Sequence, residues 1–132
     1  KRHIAVDTLG LLLVVVVHAA SIQDQTGARW VLEGIRDKYR RLKVVFGDAA
    51  YGRSGLPQWF SDHCRCILQT VLRPVDVKGF VVLPKRWIVE RTFAWISRHR
   101  RASKDYEVLT ENSEAVLYIA MIDLMLKRLA KS

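Results

Sequence analysis

Two short apolar segments open the chain and predict a β-hairpin. Positions 3–7 alternate weakly between polar and apolar residues, as a half-buried strand does. Positions 11–19 are rich in β-branched residues, which is typical of a buried strand. Thr8, Leu9 and Gly10 lie between the two segments and are expected to turn the chain. We therefore expect an antiparallel pair of strands before the first helix.

A helix and a third strand are predicted next. Apolar residues over positions 26–41 recur at the spacing of one helix face, at Ala28, Val31, Leu32, Ile35 and Tyr39. Asp24 precedes this run and is the candidate N-cap. Positions 43–47 are mostly apolar and predict a buried strand that ends on Asp48.

The second half of the chain continues this alternation of helices and strands. We predict a helix over positions 54–64, in which Pro57 is tolerated in the first turn, and a strand over positions 67–72. Two further helices are predicted over positions 85–98 and 112–131. The last helix is apolar around most of its circumference, which is typical of a helix that is buried on two sides or packed against a partner.

This order of elements indicates an α/β fold in one domain. Because a hairpin precedes the first helix, the sheet is expected to be mixed rather than wholly parallel. The chain has 132 residues, half of them apolar, which suits a domain that buries its own core. Two cysteines, Cys64 and Cys66, are too few for a disulfide framework and favour a reducing cytoplasm. A structural zinc site is not favoured either, because it needs four ligands and no second pair follows.

The composition is strongly basic. Lys and Arg number 22 against 13 Asp and Glu, and the net charge of +9 favours a polyanionic partner, either nucleic acid or an acidic membrane surface. The apolar runs at positions 11–17 and 115–121 are shorter than the roughly 20 residues that span a bilayer, so no membrane segment is expected. Cations cluster in the C-terminal half, and the candidate DNA-binding residues are Lys85, Arg86, Arg91, Arg98, Arg100, Arg101 and Lys104.

Asp48 is the first candidate for chemistry. It follows an apolar strand and precedes a turn of small residues at positions 49–52. The carboxyl ends of strands in α/β folds are where ligand-binding and catalytic groups gather. The alternative is a turn residue whose carboxylate caps backbone amides. The pattern by itself leaves both interpretations open.

Glu90 is the second candidate. On a helical wheel it shares a stripe with Arg86, Ala94, Ser97 and Arg101, which suits a phosphate backbone that meets a metal-bound acid. The alternative is an ordinary ion pair between Arg86 and Glu90 on a solvated face, and spacing alone favours this alternative. The aromatic residues are expected in the core rather than as base-stacking surfaces, namely Trp59, Phe60, Trp87, Phe93 and Trp95.

Three separate segments resemble the catalytic domain of DDE transposases of the insertion-sequence-four and insertion-sequence-five superfamily. They are Lys-Arg-His-Ile-Ala-Val-Asp-Thr-Leu-Gly at positions 1–10, Gly-Asp-Ala-Ala-Tyr-Gly at 47–52 and Val-Glu-Arg-Thr-Phe-Ala-Trp at 89–95. They occur in the family's order, and the likeness covers essentially the whole chain. It implies an α/β fold of the RNase H-like type, a mixed sheet with flanking helices, in which three acids hold two divalent metal ions.

The same resemblance implies that Asp48 is the second catalytic acid and metal ligand and that Glu90 is the third. Magnesium is the implied ion, and manganese fits as well, because both accept oxygen ligands and substrate phosphates. The family's signature around the third acid is met by Arg86. It is not met at the signature's tyrosine and lysine, where this chain has Leu83 and Ser97.

The first acid of the family lies on a central strand that precedes the Lys-Arg-His segment, and this chain opens after it. Asp7 matches the end of the family's second strand and is not adopted in its place. We therefore expect the C-terminal part of the catalytic domain, over positions 1–132, to be inactive and poorly stable alone. DNA and the missing N-terminal half are the expected partners, and self-association into a homo-oligomer is left open.

The sequence thus predicts a transposase fragment that acts in DNA transposition by metal-dependent phosphodiester cleavage and strand transfer, in the bacterial cytoplasm at the nucleoid. The alternative is a non-catalytic basic DNA-binding module or remnant. A third interpretation, a basic interaction protein that uses its apolar last helix, explains neither Asp48 nor Glu90.

Overall fold

The structure is a computed structural model in which residues 1–53, 55–72, 75–76, 78–79, 85–104 and 107–132 are described. Its strands are β1 (Arg2–Val6), β2 (Leu12–Val17), β3 (Val44–Asp48) and β4 (Ile67–Val71). Its helices are α1 (Asp24–Lys38), α2 (Leu56–Cys64), α3 (Arg86–Ser97) and α4 (Thr110–Lys131), and a short 3-10 helix, Ala49–Gly52, follows β3. Each expected strand and helix is present, and their ends differ from the prediction by a few residues at most.

The β-hairpin of β1 and β2 is antiparallel, as predicted. Gly10 turns the chain with a φ of 83°, a left-handed value that favours glycine. The carboxylate of Asp7 accepts hydrogen bonds from the backbone N–H groups of Leu9 and Leu11, at 2.9 and 2.8 Å. Asp7 therefore holds the turn, which gives it a structural reason to stand where it does.

The N-terminus of α1 differs from the prediction. Gln23 is the N-cap, and Asp24 is the first residue inside the helix. The carboxylate of Asp24 lies 3.0 Å from the Lys1 Nζ. A negative charge in the first turn interacts favourably with the helix dipole, which explains why Asp24 suits this position as well as the cap.

The strands form two separate sheets in the part of the chain that the structure describes. β1 pairs with β2 alone, and β3 pairs with β4 alone in parallel, with Val44 opposite Ile67 and Asp48 opposite Val71. The mixed α/β composition is confirmed, but one continuous mixed sheet is not observed among these residues. The reason is that no described strand joins β1 to β3, and helices hold the two sheets together instead.

Two hydrophobic clusters pack on the opposite faces of β2, because successive side chains of a strand point to opposite sides. Val14 belongs to the first cluster, which α1 closes and which reaches Phe60 of α2 and Leu68 of β4. Val15 and Val17 belong to the second, which α3 and α4 close. The first cluster thus joins the hairpin to the parallel pair.

Helix α4 also protects the outer edge of β2. The Glu114 Oε1 accepts a hydrogen bond from the Val17 N–H at 2.8 Å, and the Tyr118 hydroxyl oxygen accepts one from the Val15 N–H at 3.2 Å. Side chains therefore take the place of a further strand at that edge.

The outer face of α4 is apolar and uncovered within the described residues. Its exposed members follow each other at spacings of three and four residues, at Ile119, Ile122, Leu126 and Leu129. The expectation of a helix that is apolar around most of its circumference is therefore met. None of the described helices has the length and hydropathy needed to cross a membrane.

Candidate functional site

One guanidinium group joins the two candidate acids. The Arg86 Nη2 lies 3.6 Å from the Asp48 Oδ2, and the Arg86 Nε lies 3.4 Å from the Glu90 Oε1. Asp48 ends β3, and Arg86 and Glu90 stand one turn apart at the start of α3. The side chains of Asp48 and Glu90 are 42% and 65% exposed, so solvent, a metal ion or a phosphate can reach both. Residues that are distant in the sequence therefore form one charged cluster.

Little space is available for side chains at two glycines around the turn that follows β3. A side chain at Gly47 would approach Leu68 and Tyr51 to 3.3 and 3.4 Å, and one at Gly52 would approach Thr70 to 3.2 Å. Glycine at the end of β3 and at the end of the 3-10 helix therefore lets the turn pack closely against the parallel pair. Because the turn packs this way, the end of β3 has a defined position in the fold.

Asp48 does not use its carboxylate as a cap. It is the N-cap residue of the 3-10 helix by backbone conformation, and its side chain makes no capping hydrogen bond. Of the two interpretations that the sequence left open, the capping role is thus not realised. The carboxylate faces Arg86 instead.

Tyr51 is half-buried and lies in the 3-10 helix that follows Asp48. Its hydroxyl lies 3.4 Å from the Nδ1 of His3 on β1. Burial raises the pKa of Tyr51, and the carboxylates of Asp24 and Asp48 raise it further. The hydroxyl therefore keeps its proton at neutral pH and bridges β1 to the turn after β3 as a neutral group.

Helix α3 is anchored to the turn of the hairpin by the two residues that follow Glu90. The Arg91 Nη2 donates to the Leu9 carbonyl oxygen at 3.0 Å, and the buried Thr92 hydroxyl donates to the Gly10 carbonyl oxygen at 2.7 Å. These contacts explain part of the sequence at positions 89–95, because Glu90 faces solvent while Arg91 and Thr92 bind the hairpin. The orientation of Glu90 thus depends on the first ten residues.

The other predicted DNA-binding residues lie in different surroundings. Arg98, Arg100 and Lys104 are exposed, and the Lys85 Nζ lies 5.9 Å from the centre of the Phe46 ring. Arg101 is ion-paired with the Glu107 carboxylate at 2.7 Å. Its charge is therefore partly compensated within the chain.

Arg91 is the exception in the basic cluster, because two indole rings enclose its guanidinium. Its Cζ lies 4.5 Å from the centre of the Trp87 ring and 4.6 Å from that of Trp95. Its Nε is buried with no hydrogen-bond partner among the described residues. Trp87 itself is 44% exposed, so the expectation that it belongs to the core is wrong.

A basic groove that the sequence analysis missed runs between α3 and α4. It encloses about 390 Å³, and its charged lining consists of Arg98, His99, Asp123, Lys127, Arg128 and Lys131. Asp123 accepts hydrogen bonds from Lys127 at 2.7 Å and from His99 at 2.9 Å, and these bonds lower its pKa in that order. The spacing of Lys127, Arg128 and Lys131 on one helix was the available signal, but their proximity to Arg98 follows from packing alone.

The donor set at the acids suits a hard divalent cation. Asp48 and Glu90 offer carboxylate oxygens, and magnesium is commonly bound by one or two carboxylates together with water and substrate phosphates. A cluster of three or more His, Cys, Asp or Glu side chains with metal-binding geometry is absent from the described residues. Cys64 and Cys66 are free thiols. Leu83, which stands at the tyrosine of the family signature, lies outside the described residues.

Comparison with known proteins adds to this geometry. Residues 1–124 match the family described as Transposase DDE domain. The chain is similar to a putative transposase for insertion sequence element IS402 of Burkholderia cepacia, at 28% identity over 119 residues, which cover 81% of this chain and 53% of that protein. The chain thus spans about half the length of the curated relative that it matches. No solved structure matches it.

Proposed function

Because this chain belongs to the family of DDE-domain transposases of insertion sequences, we propose that Asp48 and Glu90 are two of its catalytic, metal-binding acids. In this proposal the chain takes part in DNA transposition through metal-dependent phosphodiester cleavage and strand transfer. The single observation that carries the proposal is the contact of both carboxylates with Arg86. Their shared contact with one cation supports a site at which both carboxylates bind a metal ion.

The chemistry of the site follows from its donors. Magnesium or manganese bound to the two carboxylates would supply a Lewis acid that activates water or a DNA 3′ hydroxyl and stabilises the leaving oxygen. Asp48 and Glu90 would bind that ion through oxygen. Arg86 would then turn from the carboxylates to a phosphate of the DNA, for which its planar guanidinium is suited. The exposed Arg98, Arg100 and Lys104 would hold the strand by its backbone.

We also propose an RNase H-like arrangement that is completed by a further strand between β1 and β3. Three features support this position. The outer edge of β2 is already covered by Glu114 and Tyr118, whereas β1 and β3 have no strand at their second edges among the described residues. Helix α3 contacts both β1 and β3 and so bridges the two sheets. An acid on that strand, from the N-terminal half of the transposase, would be the further metal ligand.

An isolated 132-residue chain is therefore expected to bind DNA and to cut none. The test uses supercoiled plasmid with magnesium or manganese, first with the chain alone and then with the N-terminal half of the transposase co-expressed. Nicking that appears with both halves and is abolished by Asp48→Asn and by Glu90→Gln supports the proposal. Asp62→Asn, a matched change at an exposed acid of α2, serves as the control. Efficient metal-dependent nicking by the chain alone would contradict the need for a further acid.

The alternative is a non-catalytic DNA-binding module, and one observation favours it. Arg86 already offsets part of the charge of both acids, so the neighbouring cations can bind phosphates without any metal. Under this alternative Glu90→Gln leaves DNA affinity unchanged or higher, and no combination of halves yields nicking. If the co-expressed halves lose nicking activity in the Glu90→Gln variant while DNA affinity is unchanged, the result supports the catalytic function over the binding module.

The exposed face of α4 supports a self-associating protein as part of this proposal. The spacing of Ile119, Ile122, Leu126 and Leu129 is that of the apolar seam of a two-stranded coiled coil. We place a second copy of the chain on this face. In this proposal the self-associated protein acts on bacterial DNA in the cytoplasm.

A further inference from the structure

Aromatic rings and guanidinium groups alternate along one side of α3. Trp87, Arg91 and Trp95 are four residues apart and therefore share a stripe of the helix. The Arg91 Cζ lies 4.5 Å from the Trp87 ring centre and 4.6 Å from that of Trp95. The Arg128 Cζ from α4 lies 4.3 Å from the Trp95 ring centre and extends the row. We call these four residues the stacked row.

The inner part of the stacked row is held in place by the hairpin. Arg91 donates to the Leu9 carbonyl oxygen at 3.0 Å, and a side chain at Gly10 would lie 3.0 Å from the Trp95 ring. These contacts leave little freedom to Arg91 and Trp95. Trp87 is therefore the outer end of a preformed stack, and it is 44% exposed.

The position of Trp87 relates the stacked row to the acids. The preceding residue is Arg86, which contacts both Asp48 and Glu90. Trp87 therefore lies on the same first turn of α3 as the residue that contacts both acids, and a DNA strand bound at the acids passes this turn. Resting on this proposed function, we propose that Trp87 is a stacking site for an unpaired DNA base next to the reacting phosphodiester.

The chemistry of the row favours a nucleobase as the ligand. Interleaved aromatic and cationic side chains are the usual composition of sites for single-stranded nucleic acid, and every base has a face that stacks on an indole. A guanidinium against the indole adds a cation–π contact and pre-orients the ring. In a paired duplex both faces of a base are already stacked on its neighbours, so the partner is an unpaired base.

The basic groove gives the same strand a path. Arg128 belongs both to the stacked row and to the lining of the groove between α3 and α4, where Arg98, Lys127 and Lys131 also lie. A strand that leaves Trp87 along the row therefore meets cations that suit its phosphates. In this arrangement the row binds a base and the groove binds the backbone.

The test measures the binding of DNA that carries 2-aminopurine, a base whose fluorescence falls when it stacks. The full chain is titrated with a single strand and with a fully paired duplex of the same sequence, both with and without magnesium. We expect quenching with the single strand alone. Trp87→Leu is expected to weaken single-strand binding roughly 5- to 100-fold, the range set by typical stacking energies, while duplex binding stays unchanged.

Two further variants separate stacking from folding and from apolar bulk. Trp87→Phe keeps an aromatic face and is expected to retain most of the affinity and quenching that Trp87→Leu loses. Trp30→Leu removes another exposed indole, on α1, and is expected to bind both DNAs as the parent chain does. Circular dichroism of each variant checks that α3 remains folded. Equal single-strand affinity in the parent chain and Trp87→Leu, or equal losses for both DNAs, would overturn the inference.

The inference and the proposed function fail in different ways. Stacking needs no metal, so quenching should persist when magnesium is removed and in the Glu90→Gln variant. If that quenching persists while the co-expressed halves cut no DNA, the catalytic proposal fails and the stacking site stands. If cutting depends on Glu90 while Trp87→Leu binds single strands as the parent chain does, the stacking inference fails and the catalytic proposal stands.

Discussion

The hydroxyl of Thr92 donates to the carbonyl oxygen of Gly10 at 2.7 Å, across a sequence separation of 82 residues. Thr92 is buried and lies two residues after Glu90, so this bond fixes the part of α3 that carries the acid. Gly10 lies in the turn of the hairpin, near the start of the sequence, whereas Thr92 lies in the third helix. The position of one candidate catalytic group therefore rests on a contact with the first turn of the chain.

The close approach at Gly10 leads to the first prediction. A Cβ there would lie 2.9 Å from the Thr92 Oγ1, whereas a Cβ at Gly55 would meet nothing within 4 Å. Both residues have positive φ values, 83° and 69°, so Gly→Ala strains the backbone at each. We expect Gly55→Ala to lower the free energy of unfolding by about 1–2 kcal/mol and Gly10→Ala to lower it by more. Urea unfolding measures both losses. Equal losses would mean that α3 shifts to accommodate the added methyl group at little cost in free energy.

The Thr92 hydroxyl gives a second prediction. Thr92→Val keeps the shape of the side chain but leaves the buried Gly10 carbonyl without this donor, which is expected to cost about 1–3 kcal/mol. Thr92→Ser keeps the hydroxyl and should lose less. Urea unfolding of the three proteins gives the comparison. A Val variant that is as stable as the parent chain would show that the bond does not anchor α3.

A third prediction concerns pH and the pair of His3 and His18. Their rings stack with centres 4.8 Å apart at 18°, and the Nε2 atoms of both are buried without a hydrogen-bond partner among the described residues. Burial lowers the pKa of His3, and the neighbouring His18, the N-terminal ammonium and Lys1 lower it further, while Asp24 raises it. The unfolded chain therefore binds more protons than the folded chain just below the ordinary pKa of 6.5.

The sign of the effect follows from that difference. The free energy of unfolding should be highest above pH 6.5 and should fall as the pH drops below it, by at most about 1.4 kcal/mol per pH unit for one group. His3→Gln should flatten this dependence between pH 5 and 7, a window set by the unperturbed histidine range. His63→Gln, at an exposed histidine of α2, should leave it unchanged. Parallel curves for parent chain and His3→Gln would assign the dependence to another group.

A fourth prediction compares an exposed cation with one whose charge a neighbouring acid compensates. Arg100 is exposed, while Arg101 is paired with Glu107 at 2.7 Å. If both face DNA, Arg100→Gln should reduce the slope of log affinity against log salt by about 0.9, the value for one neutralised phosphate in duplex DNA. Arg101→Gln should reduce it by less, because Glu107 already offsets part of the charge. Fluorescence anisotropy over a range of salt concentrations measures the slopes, and equal reductions would show that DNA displaces Glu107.

A fifth prediction tests the exposed face of α4. Leu126 is 61% exposed in the single chain, and a second copy is proposed to cover it. Leu126→Gln should raise the dissociation constant of the dimer at least tenfold, since a twofold interface contains the substituted residue twice. Lys131→Gln, outside this apolar seam, should not change it. Sedimentation equilibrium distinguishes the species, and a monomeric parent chain would contradict the proposal.

The sequence by itself determined the local elements and the family. Hydrophobic periodicity placed each strand and helix because a period of two or of three to four residues is a local property of the backbone. The segments at positions 1–10, 47–52 and 89–95 indicated the family, and the comparisons confirm it. They also singled out Asp48 and Glu90, although their catalytic role stays a prediction. The basic cluster was visible for the same reason, since charge can be counted without a fold.

Only the tertiary structure decided which residues meet. Arg86 is one turn from Glu90 by sequence, but its contact with Asp48 depends on how α3 lies against β3. Trp87 was expected in the core because large aromatic residues usually are, yet whether a face of α3 is covered depends on the elements around it. The two separate sheets and the basic groove likewise arise from packing between distant segments. Such contacts are set by the three-dimensional fit of surfaces, which periodicity along one segment does not record.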